Sequence, residues 1–486
     1  MNRHIATLIA AALVVSAAGC GESLNSSFVY SEQTEALMPK AQKGIDIEDA
    51  DGKITQHLPG AQDLLDERFG DPQSLKAWSK LPIDFGGITG HVVETPDTPL
   101  IKSLTLKFDG EFSFDEDEPL LIQFVTGAAA PSVVKIDKWS ADDGEATLSD
   151  SDTLKAAVVA GDVIVLNGGV VLQHGRGLYM RHCSHCHGTS GDGNGPTAQY
   201  LVPRPRDYRQ GIFKFTSTND LSKISRDDIH RVLSNGIPGT YMPSFVPMLD
   251  EQEKHAVVEY VRFLAMRGEF EKKIAVELAG DFSKEALASQ LEAGDSMTDV
   301  VDNLTAFLAE DMADSLEFVS DDLASRWTTA DTDGAVIIPD VSRVPDTSES
   351  RRIGRKLYLS KAVNCADCHG IAGEGNGPQT TIYEKNPVTD KLYDTPGLHD
   401  VWDNVNQPRN LTRGIYRGGR RPVDLFRRIH AGIKGTRMPG FSKALNHEQI
   451  WHLVNYALSI PFNPEPGHIP GVAQPAAADP AAAASK

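Results

Sequence analysis

Hydrophobic and polar positions change period several times along this chain, and each change marks a unit. Ile5 to Ala18 is an apolar run preceded by Arg3 and His4. It is shorter than the roughly 20 residues that span a bilayer but suits the core of an export signal over residues 1–20. Residues 21–60 are polar and poor in aromatics, and predict a tether with little fixed structure. AQDLLDERFGDPQSLKAWSK, residues 61–80, predicts short helices broken near Gly70-Asp71-Pro72. Between Gly86 and Gly168 the period falls to two. TLKFDGEFSF alternates through Leu104, Leu106, Phe108 and Phe112, and LLIQFV and VVKIDKW are β-branched runs bounded by Gly, Pro, Asp and Asn. This predicts a small antiparallel β module over 86–169, a spacer or docking surface to which no chemistry attaches.

The helical period then takes over. VVLQHGRGLYMRH leads into a Gly-rich loop, and a later helix carries Val257, Val258, Tyr260, Val261 and Leu264. Residues 269–350 are acidic and largely amphipathic-helical, and read as a spacer that sets apart the units on either side. Residues 351–462 repeat the pattern of 170–268, and the tail 463–486 is low-complexity and predicted disordered. The expected fold is therefore multidomain: tether and short helices (21–85), a β-rich module, and two mainly α units joined by an acidic helical linker.

The repeat carries the chemistry. CSHCH (Cys183–His187) and CADCH (Cys365–His369) share the spacing by which two thiols each add to a porphyrin vinyl group, while the next histidine is held under the iron. GDGNGP recurs as GEGNGP, PRDYRQGIFK as PRNLTRGIYR, and NGIPGTYMPSF as AGIKGTRMPGF. A zinc site built from two CxxC halves needs them about 15–20 residues apart; these motifs are far more widely separated. His187 and His369 are the expected proximal ligands. Met438 has no other methionine in its unit, and Met242 shares its GTxMP setting, so these are the expected distal ligands, with Met248 in reserve for the first site. His174, His182, His185, His230 and His430 have no useful counterparts between the repeats and read as surface residues.

Charge sharpens the division. With 47 Lys+Arg against 67 Asp+Glu the chain is acidic, which excludes a basic nucleic-acid-binding class. Its net charge is −16 over 21–169, +3 over 170–268, −15 over 269–350 and +8 over 351–462, so the two motif-bearing units are the basic ones. Four of the five cysteines lie in the two motifs, leaving none to pair in a disulfide. The fifth, Cys20, ends AAGC, which resembles a bacterial lipoprotein signal, although Ala17 stands where a larger aliphatic residue is usual. Cys20 would then be the lipidated first residue of an exported, membrane-anchored protein. An ordinary secretory signal cleaved near Ala18 or Gly19 is the other reading.

Helix with Gly and Tyr, CxxCH, Gly-Pro loop, methionine strap and closing aromatic helix together resemble class I cytochrome c, present twice over about 210 residues. The resemblance implies two covalent haem c groups on Cys183/Cys186 and Cys365/Cys368. It implies that the carbonyls of Pro196 and Pro378 accept the proximal histidine N–H, and that Gly175 and Gly354 pack on the helices of Tyr260 and Tyr456. Arg206 and Arg409, each after a proline, would serve as haem-propionate partners or as plain surface arginines. Two six-coordinate irons imply one-electron relay. The expected function is an exported dihaem cytochrome of a bacterial respiratory chain, passing electrons to redox partners in a membrane oxidase or reductase complex. It would be a carrier or complex subunit more than an enzyme. The alternative is a dihaem peroxidase-like protein with one open haem.

Overall fold

The computed structural model describes residues 28–29, 45–48, 54–58, 60–96, 101–110, 120–129, 132–149, 154, 158–282, 284–387 and 389–462. Cys20, Phe112 and the tail from 463 lie outside them.

The short strands β1 (Ile45–Glu48) and β2 (Ile54–Leu58) pair antiparallel. Helix α1 (Ala61–Phe69) ends at Gly70, whose positive φ of 68° stops the helix. The two-residue period gives six strands: β3 (Ile88–Val92), β4 (Ser103–Phe108), β5 (Leu120–Phe124), β6 (Val133–Ser140), β7 (Glu145–Leu148) and β8 (Val163–Leu166). They close into an antiparallel barrel in the order β3-β4-β7-β6-β5-β8. Leu104, Leu106, Ile122, Phe124, Ile136 and Ile164 fill it, one face of each strand turned inward. Closure also removes the exposed edges that an open module of this size would carry.

Two helical units follow. The first has α2 (Val170–His182), the turn α3 (Ser184–His187), α4 (Arg226–Asn235, capped by Ser225) and α5 (Glu251–Phe282). After α6 (Lys284–Ala293) and α7 (Met297–Ala306), a wide-turn segment, Phe307–Asp311, leads into α8 (Met312–Ala330). The second unit has α9 (Ser348–Tyr358), the turn α10 (Cys365–His369), α11 (Pro422–Ala431) and α12 (His447–Ser459, boxed by Asn446 and Gln449).

In each unit the first helix crosses the last at a glycine. A Cβ on Gly175 would lie 2.0 Å from the carbonyl oxygen of Ala256 on α5, and one on Gly354 would lie 2.1 Å from that of His452 on α12. Only glycine permits so close a backbone approach. Tyr179 and Tyr260 then meet at 5.1 Å, and Tyr358 and Tyr456 at 5.3 Å.

Two expectations are corrected. The acidic segment is no spacer. Leu308, Met312, Leu316, Val319, Leu323 and Trp327 form a stripe that joins the core of the first unit, packing α8 back onto α5. The contact is anchored by Trp327, fully buried with its indole N–H on Glu269 at 3.0 Å. Arg262, also fully buried, donates to Asp331 at the end of α8 (3.0 Å) and to the Pro82 carbonyl (3.1 Å). Nor is the stretch before α1 simply a loose tether, because Phe28 is buried under the Arg267 guanidinium at 4.2 Å and the Val29 N–H bonds Ser190. Segment 60–85 is likewise core: Phe69 meets Phe263 at 5.5 Å and Trp78 meets Phe270 at 5.2 Å. Walled in by α1, α2, α4 and α8, α5 is buried almost all round from Ala256 to Glu271.

Among the described residues no helix is long and apolar enough to cross a membrane.

Candidate functional site

Each motif forms one tight helical turn after its glycine-bearing helix. Its place is fixed by a buried tyrosine: Tyr179 donates to the Gly188 carbonyl at 2.9 Å and Tyr358 to that of Gly370 at 2.6 Å. The carbonyl held in each case is the one following the motif histidine. Burial pushes the thiols of Cys183 and Cys365 up to about 12. Among the described residues no group of three or more His, Cys, Asp or Glu is placed to hold a metal ion.

His187 and His369 are oriented from behind. Nδ1 of His187 lies 3.3 Å from the Arg206 carbonyl and Nδ1 of His369 3.1 Å from that of Arg409. Burial lowers both, His187 to about 4. Each is therefore a neutral imidazole donating from Nδ1, with Nε2 left to bind a metal. This corrects the assignment of the acceptors to Pro196 and Pro378. Those prolines end the glycine loops that wrap the motif turn, and their carbonyls accept from Gln199 and Thr381 instead. The chain passes the histidine one loop later, at Pro205-Arg206 and Pro408-Arg409.

The two methionine straps match bond for bond. Met242 N–H donates to the Thr240 hydroxyl (3.1 Å) and its carbonyl accepts from Ile237 (3.0 Å); Met438 does the same with Thr436 (3.2 Å) and Ile433 (3.0 Å). Both methionines are half-buried and line the cavity described below. Met248 lines it too but from an exposed position. Met180 is partly buried against the core and Met266 fully buried.

The two sites open into a single cavity of about 870 Å³, lined by Cys183, Cys186, His187 and Met242 of one unit and Cys365, Cys368, His369 and Met438 of the other. The units meet face to face across it with approximate two-fold symmetry. Gly239 of the first strap lies against Ile415, and Gly435 of the second against Ile212, the residue equivalent to Ile415 in the repeat. Lys434 reaches across to the Ser222 carbonyl. Residues 331–347 lace the units together: Ile337 N–H bonds Ser217 (2.9 Å), and the Val341 carbonyl accepts from Trp451 (3.0 Å).

Among the cations that line the cavity, Arg206, Lys214, Arg409 and Arg417 touch the opposite unit. They are equivalent pairs in the repeat, Arg206 with Arg409 and Lys214 with Arg417. Burial, and next the Arg206 charge, lower Lys214 to about 8; burial lowers Arg206 to about 10. Nε of Arg417 is buried with no hydrogen-bond partner. Asp400 of the second unit takes Lys214 at 3.1 Å and lies 3.8 Å from Arg206, whereas Arg409 and Arg417 have no ion pair among the described residues; the propionates of two haems would fit such a cluster. With the thiols, histidines and methionines facing the same space, the residues fit two haem c groups. Neither Arg206 nor Arg409 is a plain surface arginine. The Arg206 guanidinium lies over the Trp402 ring at 3.5 Å, and Arg409 Nε donates to the Ile415 carbonyl at 3.0 Å.

Sequence reasoning missed Tyr208, stacked on His187 at 4.9 Å, together with Lys214, Arg417, Asp400 and Trp402. The Lys214/Arg417 pair was legible as a recurring basic position in PRDYRQGIFK and PRNLTRGIYR. Asp400 and Trp402 lie in residues 379–407, which stand where the first unit has only 197–204, so no repeat could point to them.

A family model described as Cytochrome C oxidase, cbb3-type, subunit III matches residues 171–261, and one described as Cytochrome c matches residues 352–461. No curated protein matches. A solved chain of the Kuenenia stuttgartiensis reducing HAO-like protein complex Kustc0457/Kustc0458 is loosely similar, with 22% identity and a TM-score of 0.40 over 59% of this chain and 96% of that one. The chain thus carries two cytochrome c-type domains in tandem, the organisation of a dihaem c-type cytochrome, which indicates covalently bound haem c and electron transfer.

Proposed function

We propose that this protein is an exported dihaem electron carrier of a bacterial respiratory chain. It would be held at the membrane by lipid on Cys20 and exchange electrons with a redox partner, to or within a membrane oxidase or reductase complex. Cys183/Cys186 and Cys365/Cys368 are the attachment thiols, with His187/Met242 and His369/Met438 as axial pairs. When bound, haem c supplies a one-electron Fe(III)/Fe(II) couple. The chain's own residues do the rest. The Arg206 and Arg409 carbonyls hold each imidazole in the tautomer that leaves Nε2 free. The threonine-braced straps present sulfur, and Arg206, Lys214, Arg409 and Arg417 offset anionic charge.

The single observation that carries this reading is the pair of matched His and Met sets opening into one cavity. A peroxidase needs one strap to release its methionine, and the two straps are bonded alike. Met242→Ala and Met438→Ala test the reading. Each variant is expected to lose the far-red sulfur-to-iron charge-transfer band of its own haem and to lower that haem's midpoint alone. A high-spin ferric haem in the resting wild-type protein would refute the relay.

A further inference from the structure

The two methionine straps are bonded alike within their own units but are held differently from outside. Gly239 is the third residue of the turn Ile237–Thr240, which the Thr240 N–H closes on the Ile237 carbonyl at 3.1 Å, and its φ is +74°. A side chain there would run into the Arg409 guanidinium and into Ile415, both of the second unit. Arg409 is fixed in this place by its Nε, which donates to the Ile415 carbonyl at 3.0 Å. Nη2 of Arg417 adds a long contact to the Gly239 carbonyl at 3.5 Å. In the second strap the equivalent Gly435 faces the Trp402 ring of its own unit and Ile212 of the first, with no cation among its nearest neighbours. That strap makes its own tie: Lys434 reaches the Ser222 carbonyl of the first unit, at the position where the first strap has Pro238.

Arg409 therefore stands between the ligand sets of both sites. Its backbone carbonyl lies 3.1 Å from Nδ1 of His369, while its guanidinium packs on the turn of the other unit's strap. From that turn the way to Met242 is short. Thr240, next to Gly239, takes the Met242 N–H on its hydroxyl at 3.1 Å. A strap must move before its sulfur can leave an iron, and a planar guanidinium anchored at one end and packed on the turn limits that movement.

We propose that Arg409, with Arg417 beside it, is a positioning residue for Met242 of the opposite unit, so that the first iron is closed to outside ligands only while the second unit is docked on its strap. The inference rests on the dihaem reading above. Neither arginine touches the iron; both act through Gly239 and Thr240. A propionate contact within the arginines' own unit would be felt at the second haem, whereas the hold on Gly239 is felt at the first.

The test is an imidazole titration of the ferric, full-length holoprotein, in which added imidazole competes with the methionine sulfur. In a Met438→Ala background the remaining far-red band reports the first site alone, and in a Met242→Ala background it reports the second. Arg409→Gln keeps the carbonyl behind His369 and most of the side-chain stem, and without imidazole both bands should persist. Apparent affinity rises in proportion to the population of the open strap, so Arg409→Gln is expected to bind imidazole about tenfold more tightly at the first site, with the second unchanged. Arg417→Gln should act in the same direction but more weakly, and it keeps the test decisive if Arg409→Gln folds poorly. Tightening at the second site alone, equal tightening at both, or none in either variant overturns the inference alone. A chain that takes up fewer than two haems, or a wild type without a far-red band, overturns the dihaem reading with it.

Discussion

At the scale of single residues, the two haem sites are specified by atoms that face away from the iron. Backbone carbonyls at Arg206 and Arg409 orient the imidazoles, and phenol groups at Tyr179 and Tyr358 pin the turn that carries them. Both tyrosines are buried, and removing either hydroxyl leaves a buried carbonyl without its donor. Tyr179→Phe and Tyr358→Phe should each cost about 1–3 kcal/mol, read as a lowered midpoint of thermal unfolding of the holoprotein. An unchanged unfolding curve would show that the carbonyls find another donor. The histidine acceptor was misplaced from sequence because each unit offers several prolines downstream of its motif, and only the path of the loop decides which neighbour passes behind the ring.

At the scale of elements, the acidic region shows why amphipathicity alone is an incomplete guide. The apolar stripe from Leu308 to Trp327 has the three- and four-residue spacing of one helical face. That spacing says that a face will be buried but not against which partner, and the high negative charge suggested a solvated spacer. The partner is α5, which the sequence marked as the closing helix of the first unit and which in fact runs on to Phe282. Its Arg262 and Glu269 receive α8 through Asp331 and Trp327. Trp327→Ala removes a large, fully buried ring and the indole N–H that bonds Glu269, which keeps its ion pair with Lys223. It should destabilise the first unit by about 3–5 kcal/mol, measured by denaturant unfolding, while the second unit's midpoint stays in place. A loss below about 1 kcal/mol would mean that α8 is only loosely attached.

At the scale of the whole molecule, the decisive feature is the contact between the units. Each strap glycine meets an isoleucine of the other unit, and segment 331–347 bonds to both, so the two cavities merge into one. Charging both symmetric contacts at once, with Ile212→Asp and Ile415→Asp together, should part the units. The expected result is a larger radius of gyration in solution scattering and a weaker magnetic interaction between the two ferric irons, with each haem's own spectrum retained. Unchanged scattering would mean that segment 331–347 alone suffices to hold the pair. The barrel, by contrast, was legible as antiparallel strands from its two-residue period, and only its closure was not.

What the sequence by itself determined is local and covalent: the attachment motifs, the histidine next to each, the duplicated methionine straps, the glycine and tyrosine of each helix pair, and the alternation of the barrel strands. These are set by spacing along the chain, which the sequence displays directly. The tertiary structure alone decided which carbonyl backs each histidine, where the acidic helices pack, that the two sites share a cavity, and that Asp400 sits beside the cations of the other unit. Each of these depends on groups far apart in the chain meeting in a buried interior, where low dielectric and close packing make one neighbour count and spacing says nothing about which neighbour it will be.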